Sequence, residues 1–245
     1  MKTPASIAAF AMAALLSLSA YGQVSIDSIR AELKKKLPEA EFESIRKVPY
    51  GNLYEAVSAG DIMYTDEKAT FILLGPIIDL ATRQNVTEAR MRQLNAVKFE
   101  TLAFDDAIKI VRGNGSRKLA IFEDPNCGYC KRFERDLLGV NDVTVYVFLY
   151  PILSPDSVEK AKAIWCSPDR AKSWLDTMTR DATPSGDVKC ATPLDKNLAF
   201  GHAKRINGTP TIIFESGERV PGVMPIAELE KRLANKVPPP SASAK

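Results

Sequence analysis

The first third of the chain combines one short helical pattern with a series of strand-like segments. Over Ser25–Leu37 the apolar residues recur at spacings of three and four, which predicts an amphipathic helix that ends before Pro38. Short segments rich in aromatic and β-branched residues follow, and they predict an antiparallel meander. These predicted strands are Glu41–Val48, Asn52–Ser58, Asp61–Thr65 and Thr70–Leu74. We expect a small α+β module near the lower size limit for a lone core, so that pairing with a second copy would stabilise it.

A second helical pattern connects this module to the rest of the chain. Met91, Leu94 and Val97 share one face of Asn85–Lys98, and Thr87 is the expected N-cap. A helix is stiffer than a Gly/Ser tether, so this segment would hold two modules at a defined separation.

From Ala107 onward the pattern alternates between strands and helices. Strands at Ala107–Val111, Leu119–Phe122 and Val143–Tyr150 accompany a helix at Cys127–Leu138, which predicts a βαβ unit. The remaining predicted elements are helices Ser157–Cys166, Arg170–Thr179 and Leu194–Arg205, a hairpin of Thr211–Phe214 with Glu218–Val220, and a last helix Ile226–Asn235. The predicted fold class is mixed: an N-terminal α+β module, a helical linker and a C-terminal α/β domain with a helical insertion.

The N-terminus has the order of a secretory signal peptide. Lys2 precedes the uncharged stretch Ile7–Leu18, and the small residues Ala20 and Gly22 follow at cleavage-site spacing. The alternative, a membrane anchor, would need ~20 apolar residues. We therefore expect residues 1–22 to be removed on export, into an oxidising compartment where cysteines pair stably.

Composition and charge exclude several kinds of partner and site. The 245 residues are 45% hydrophobic and 26% charged, which is typical of a globular protein. A formal net charge of +3 leaves no electrostatic case for a nucleic-acid partner, and we expect none. His202 is the single histidine, so a multi-histidine metal site is excluded, and we expect this side chain at the surface. We expect no metal and no other cofactor.

The candidate catalytic site is the motif Cys127-Gly128-Tyr129-Cys130, where an apolar strand ends and a helix begins. At a helix start, unpaired N–H groups and the helix dipole favour a thiolate over a thiol, so the pKa of Cys127 should fall below the ~8.5 of a free cysteine. Cys130, one turn further on, can attack the sulfur of Cys127 and release a mixed disulfide.

Two other interpretations compete for this motif. It could be half of a zinc site, but Cys166, Cys190 and His202 do not form a second pair of closely spaced ligands. It could also be an inert structural disulfide. The position between a strand and a helix and the presence of a matching proline loop both argue against that interpretation.

The proline loop is Gly208-Thr209-Pro210-Thr211, directly before a predicted strand. Proline at a strand start cannot donate to the ladder, and X-Pro is the one bond type in which the cis form is readily populated. Thr209-Pro210 alone is a weak signal. Together with an upstream CxxC that opens a helix, it gives the order of elements of thioredoxin, in which the residue before a cis-proline lies against the active-site sulfurs and pairs with bound peptide.

Cys166 and Cys190 lie within the predicted helical insertion, with 23 residues between them. We interpret them as a structural disulfide, which would stabilise the fold by ~3 kcal/mol in the chain-entropy model. The alternative is a second redox relay, but neither cysteine has the close partner and helix-start position of a reactive thiol.

With these motifs in view, the mature chain resembles the DsbC/DsbG family of secreted bacterial thiol:disulfide interchange proteins. The resemblance rests on the co-occurrence of the N-terminal module, the connector and four motifs: Cys127-Gly128-Tyr129-Cys130, Ala163-Ile164-Trp165-Cys166, Gly208-Thr209-Pro210 and Val220-Pro221-Gly222. The Gly-Tyr dipeptide is similar to that of the DsbC branch, whereas the DsbG branch has Pro-Tyr. One departure from thioredoxin concerns proton handling: Ile121 stands where thioredoxin has a buried aspartate, and Glu123 and Asp124 lie closer to the motif.

The resemblance implies a periplasmic homodimer that acts as a disulfide isomerase on misfolded, disulfide-containing exported proteins. It also implies a membrane thiol reductase of the DsbD type as the electron donor. The expected division is a signal peptide (1–22), an N-terminal dimerisation domain (23–82), a helical linker (83–100), a thioredoxin-like catalytic domain (101–236) and a flexible tail (237–245). Two rival functions stay open at this point: a disulfide oxidase, and a holdase chaperone for unfolded exported proteins.

Overall fold

The computed structural model describes residues 25–234, which form two compact units. The first comprises residues 25–59 and 63–73, and the second comprises residues 60–62 and 74–234. The predicted signal peptide and the predicted flexible tail lie outside the described residues. Within the described range, no helix has both the length and the apolar character needed to cross a bilayer.

The first unit packs one helix against a small sheet. Helix α1 (Ile26–Lys36) begins where the Ser25 hydroxyl accepts a hydrogen bond from the Ser28 N–H, which satisfies one of the free donors of the first turn. The sheet has the order β1-β2-β3, with strands β1 (Phe42–Lys47), β2 (Tyr54–Ser58) and β3 (Asp61–Thr65). Its buried core contains Ile29, Leu33, Phe42, Ile45, Tyr54, Ala56 and Ala69.

The predicted fourth strand, Thr70–Leu74, is wrong. Only Leu73 pairs with the sheet, through two backbone hydrogen bonds with Tyr64. The chain first turns at Ala69, which has a positive φ of 50°, and the Asp66 carboxylate accepts hydrogen bonds from Thr70. Successive apolar side chains of this segment are all partly exposed. The segment therefore has no single buried face, and burial does not fix its pairing with the sheet.

The connector is shorter than predicted and begins differently. A two-stranded hairpin of β4 (Ile78–Asp79) and β5 (Gln84–Asn85) precedes helix α2 (Val86–Leu94). Thr87 is not the N-cap: the Asn85 side chain accepts from the Glu88 N–H at 3.0 Å, and the Thr87 hydroxyl instead accepts from the backbone of Ile77. Helix α2 has no buried residue, so tertiary packing does not extend it to Lys98.

A five-stranded mixed sheet forms the centre of the second unit. Two short 3-10 helices (Phe99–Thr101 and Phe104–Asp106) lead into it. Its strands are β6 (Ile108–Arg112), β7 (Arg117–Glu123), β8 (Val143–Leu149), β9 (Thr211–Phe214) and β10 (Arg219–Pro221), in the order β10-β9-β7-β8-β6. Only the β7–β8 pair is parallel among these strands, and α3 (Gly128–Leu137) connects them, which confirms the predicted βαβ unit.

Three helices form the insertion between β8 and β9, and one more ends the described chain. They are α4 (Pro155–Trp165), α5 (Arg170–Arg180), α6 (Leu194–Ala203) and α7 (Ile226–Ala234). Helices α3, α4 and α5 contribute to one buried core, which includes both cysteines of the motif. A second core, rich in aromatic residues, contains Phe122, Phe148 and Tyr150. Strands β7 and β8 are buried on both faces. The carboxyl end of β7, which leads into the motif, is therefore held in a fixed position.

Candidate active site

The motif Cys127–Cys130 lies at the junction of β7 and α3. Strand β7 ends at Glu123, and Cys127 is the N-cap of α3, with an extended backbone conformation. The Cys127 Sγ accepts a hydrogen bond from the Cys130 N–H at 3.3 Å, the place that an N-cap oxygen usually takes. Gly128 and Tyr129 occupy the exposed part of this first turn, and the Tyr129 side chain is 67% exposed.

The proline loop lies directly against the first sulfur. The Thr209–Pro210 peptide bond is cis, and the Cys127 Sγ lies 3.3 Å from the Thr209 carbonyl oxygen, to which it donates when protonated, although 82 residues separate them in sequence. The Pro210 carbonyl oxygen accepts from the Gly222 N–H at 2.7 Å. The backbone of Thr209, the residue before the cis-proline, therefore lies against the Cys127 sulfur.

The two thiols have opposite electrostatic environments. The Cys130 thiol, which hydrogen-bonds the Cys127 sulfur, is the main influence that lowers the pKa of Cys127 to about 6, against an opposing effect of burial. The Thr209 side chain and the N–H groups of Cys130 and Tyr129 lower it further. Burial raises the pKa of Cys130, and the neighbouring Cys127 and Glu123 add to that effect. At neutral pH Cys127 is mostly thiolate and Cys130 is a protonated thiol.

A polar network fixes the loop before the first cysteine. The buried Asp124 carboxylate accepts from the Asn126 N–H at 2.7 Å and from the Leu153 N–H at 2.9 Å. The Asn126 side-chain amide donates to Ser154, Asp156 and Ser157, and its oxygen accepts from Lys160 at 2.7 Å. This network ties the loop to the start of α4.

Sequence reasoning missed this network and a second buried polar group. Glu134, on α3, accepts a hydrogen bond from the Trp174 indole N–H at 2.9 Å and is fully buried. A signal was present, because Cys130, Glu134 and Leu137 follow one another at spacings of four and three and so share the buried face of α3. Asn126 had a weaker signal: it follows Asp124-Pro125, a composition typical of a turn.

The other two cysteines lie away from this chemistry. Cys166, at the C-cap of α4, is bonded to Cys190, with 5.7 Å between their Cα atoms. Cys127 and Cys130 are the free cysteines of the described chain. His202, on α6, is exposed, in agreement with its predicted surface position.

Two family models match the chain. A thioredoxin-like domain matches residues 104–236, and a disulfide bond isomerase protein N-terminal domain matches residues 9–88. The two matches together cover the described residues except 89–103.

Individual relatives agree with the family models. A probable thiol:disulfide interchange protein DsbC of Bordetella pertussis is 46% identical over 207 residues, which are 84% of this chain and 74% of that protein. The thiol:disulfide interchange protein DsbC of Escherichia coli is 25% identical over 89% of this chain and 92% of its own length. The crystal structure of a disulfide interchange protein from Neisseria gonorrhoeae, 42% identical, covers 56% of this chain and 99% of that one with a TM-score of 0.53.

Proposed function

The chain belongs to the DsbC family of thiol:disulfide interchange proteins, and from that premise we propose that Cys127 attacks substrate disulfides while Cys130 resolves the product. The chain is a thiol:disulfide oxidoreductase of the disulfide isomerase type. The observation that carries the assignment of roles is the opposition of the two pKa values, lowered to about 6 for Cys127 and raised for Cys130. A thiolate is the attacking species in disulfide exchange, and only the first cysteine provides one at neutral pH.

Isomerisation then follows in two exchanges. The Cys127 thiolate attacks one sulfur of a wrong disulfide, a bond forms between Cys127 and that sulfur, and the other substrate sulfur leaves as a thiolate. A second substrate thiolate attacks the same substrate sulfur, a new substrate disulfide forms, and Cys127 leaves as a thiolate. No net oxidation or reduction occurs. If Cys130 attacks Cys127 instead, the substrate is released reduced and the protein is oxidised.

Substrate binding is assigned to the proline loop and the exposed apolar side chains near the motif. Tyr129, within the motif, is 67% exposed, and Leu153 is 54% exposed, with its N–H bonded to Asp124 in the loop before the motif. Val223 directly follows Gly222, which bonds to Pro210. Exposed apolar groups of this kind suit misfolded, disulfide-containing exported proteins, whose own apolar side chains are accessible.

Association into a homodimer is assigned to the N-terminal unit. Phe71, Ile72 and Leu73 are each more than a third exposed, and Leu74, the next residue, is 75% exposed. An exposed run of four large apolar residues beside a short sheet is a surface that a second copy can cover. A homodimer would place two redox sites in one assembly, so that a substrate held by one protomer can meet the other.

The redox requirement implies an electron donor, and the family resemblance implies which kind of donor and which compartment. An isomerase needs Cys127 reduced, and an oxidising compartment would oxidise the pair unless a donor reduces it again. We assign this role to a membrane thiol reductase of the DsbD type and place the protein in the periplasm, which agrees with the predicted signal peptide.

Trapping the thiols of freshly exported protein, by acid quench and then an alkylating maleimide in denaturant, tests the isomerase assignment. The isomerase requires a population in which Cys127 and Cys130 are mostly reduced, so both should be labelled. Cys166 and Cys190, bonded in the structure, provide the internal control and should remain unlabelled. A mostly oxidised Cys127–Cys130 pair would contradict isomerisation and favour the oxidase alternative.

A further inference from the structure

A cavity of about 630 Å³ lies in the second unit, beside the proline loop. Its lining comes from helix α2, the segment between α6 and β9, strand β10 and helix α7. The volume is within the range of pockets that bind small ligands. There is no cysteine among its described lining residues, so the cavity is separate from the redox motif.

The charged side chains of this cavity are mostly basic. Four of its lining residues are arginines: Arg92, Arg205, Arg219 and Arg232. Glu88 is the one acidic residue of the described lining, and it pairs with Arg92 at 2.6 Å. Arg232 pairs at 2.5 Å with Glu218, which is not a lining residue. The lining therefore carries more positive than negative charge.

Arg219, on the edge strand β10, is the arginine best placed to receive an anion. It is half-buried, and its Nη1 donates to the Lys204 carbonyl oxygen. No carboxylate of the described residues forms an ion pair with it, and the positive charge of Arg205 lies close enough to add to burial in lowering the pKa of Arg219. A carboxylate in the cavity would supply the counter-charge, because a guanidinium can donate two parallel hydrogen bonds to one carboxylate.

The rest of the lining indicates what else the ligand carries. Met91, Ile206 and Val220 contribute apolar surface, and Ile206 is buried. A small inorganic anion would leave this surface uncovered. A ligand that has both a carboxylate and an aliphatic part would cover it, and burial of that part would add to its affinity. Acidic side chains of a polypeptide have this chemistry.

The cavity adjoins the part of the site that is closest to the reactive sulfur. Gly208, directly before Thr209, lines the cavity, and so does Pro221. The Thr209 carbonyl oxygen lies 3.3 Å from the Cys127 Sγ. Consecutive Cα atoms are ~3.8 Å apart, so the Gly208 Cα is at most roughly 10 Å from this sulfur. An extended peptide covers that distance in about three residues.

We propose that this cavity binds an acidic side chain of the substrate polypeptide, about three residues from the cysteine that Cys127 attacks, with Arg219 as its main partner. The inference deepens the proposed function and rests on it, because it takes Cys127 as the attacking thiol. A free small carboxylate shares the same chemistry. The continuity with the proline loop, to which substrate binding is assigned, favours the peptide as the source.

Disulfide exchange with matched peptides measures this preference. Each peptide contains one cysteine bonded to pyridine-2-thiol, with Glu or Gln three residues before or after it. The Cys127 thiolate attacks the peptide sulfur, a mixed disulfide forms, and pyridine-2-thiolate leaves and is followed by its absorbance. At pH 7 and low peptide concentration we expect the Glu peptide to react about tenfold faster than the Gln peptide for at least one position, the effect of one charged hydrogen bond.

Variants connect the preference to the cavity. Arg219→Gln should bring the ratio of the Glu and Gln rates to about one. Arg219→Lys keeps the charge without the planar fork and should retain part of the ratio. Lys109→Gln is the matched control, because it removes one positive charge from an exposed position on β6, at the opposite edge of the sheet, and it should keep the wild-type ratio.

A binding measurement on the wild-type protein needs no variant to fold. A dye-labelled Glu peptide with serine in place of cysteine should bind more tightly than its Gln counterpart, as measured by fluorescence anisotropy. Free glutarate should compete with it only weakly, because it lacks the peptide contacts with the proline loop. Equal affinity for glutarate and the peptide would contradict the substrate peptide as the source of the carboxylate.

The outcomes separate this inference from the proposed function. Equal rates for Glu and Gln peptides at both positions would overturn the acidic-residue site and leave the role of Cys127 intact. A preference that survives Arg219→Gln, or that falls equally in Lys109→Gln, would contradict the assignment to the cavity. Failure of the wild-type protein to release pyridine-2-thiolate from any peptide would instead overturn the proposed attack by Cys127.

Discussion

The molecule contains two cysteine pairs that differ in every property that determines reactivity. Cys127 and Cys130 are three residues apart, buried and free, whereas Cys166 and Cys190 are 24 residues apart, more exposed and bonded. Accessibility alone would favour the second pair as the reactive one. The first pair is instead distinguished by its surroundings, a helix start, a proline loop and buried acids, which lower one pKa and raise the other. Under the proposed roles, local electrostatics rather than exposure determines which pair reacts.

Substitution within the reactive pair should have the largest effect. Cys127→Ser should abolish recovery of active enzyme from scrambled ribonuclease, because it removes the only thiolate available at neutral pH. Cys130→Ser should retain part of that activity, since isomerisation needs only the first thiol when a substrate thiol completes the exchange. Equal loss in both variants would contradict the assignment of attacking and resolving roles.

Removal of the N-terminal unit should separate reactivity from isomerase activity. A chain lacking residues 23–81 should sediment as a monomer and keep its fast-reacting Cys127, because the groups that lower its pKa all belong to the second unit. Its isomerase activity should fall about tenfold or more, since the advantage of holding a substrate between two sites is lost. Sedimentation and the ribonuclease assay on both forms provide the test. A full-length monomer, or undiminished activity after truncation, would contradict the dimer proposal.

Substitution of the bonded pair should affect stability and leave activity unchanged. The double variant Cys166→Ala, Cys190→Ala should lose about 3 kcal/mol in its free energy of unfolding, because the closed loop no longer restricts the unfolded chain. Denaturant unfolding measures this loss. The isomerase rate below the unfolding transition should match the wild-type rate. A lost redox activity in a folded variant would indicate a relay instead of a structural bond.

Mild reduction should also distinguish the two cysteine pairs, because their disulfides differ in how easily they are reduced. Structural disulfides of secreted proteins are typically much harder to reduce than active-site pairs, so a limiting dithiol should open oxidised Cys127–Cys130 and leave Cys166–Cys190 bonded. Mass mapping after differential alkylation shows which cysteines carry the label. Labelling of Cys166 before Cys130 would contradict the proposal that Cys127–Cys130 is the redox pair and Cys166–Cys190 the structural one.

Much of the redox site could be predicted because its signals are local. Cys127-Gly128-Tyr129-Cys130 follows an apolar strand, and the structure places it at the start of α3. The proline loop could be placed beside it only through the order of elements, since 82 residues separate Cys127 from Thr209. That order was informative because β9 runs antiparallel to β7, so the start of β9, where the proline loop ends, lies beside the end of β7, where the motif follows.

Other features depended on contacts that no local pattern encodes. Thr70–Leu74 has the composition of a strand, yet only Leu73 pairs, because the turn at Ala69 and the exposure of the segment prevent a continuous ladder. Thr87 is a good N-cap residue, but Asn85 takes that place because the β4–β5 hairpin sets where α2 begins.

The buried acids Glu123 and Glu134 are the part of the site that was hardest to predict from the sequence. Lys131, Arg132 and Arg135 surround Glu134 in sequence and suggest a solvated helix face, whereas its spacing from Cys130 puts it inside. The environment of Glu123 also depends on α3 and on the indole and guanidinium partners of Glu134, which come from separate elements. The sequence alone gives the position of each acid in the chain, but it does not show that the fold brings the two acids into one buried region.

The pKa of the Cys127 thiol decides whether the surroundings of the motif make it the reactive pair. The reduced protein is treated with iodoacetamide across a range of pH, and the alkylation rate of each cysteine is followed by peptide mass spectrometry. We expect the rate at Cys127 to rise with a midpoint near pH 6 and to be constant above about pH 7, while Cys130 remains unlabelled until Cys127 has reacted. A Cys127 midpoint at the ordinary value of about 8.5, or faster labelling of Cys130, would contradict this expectation.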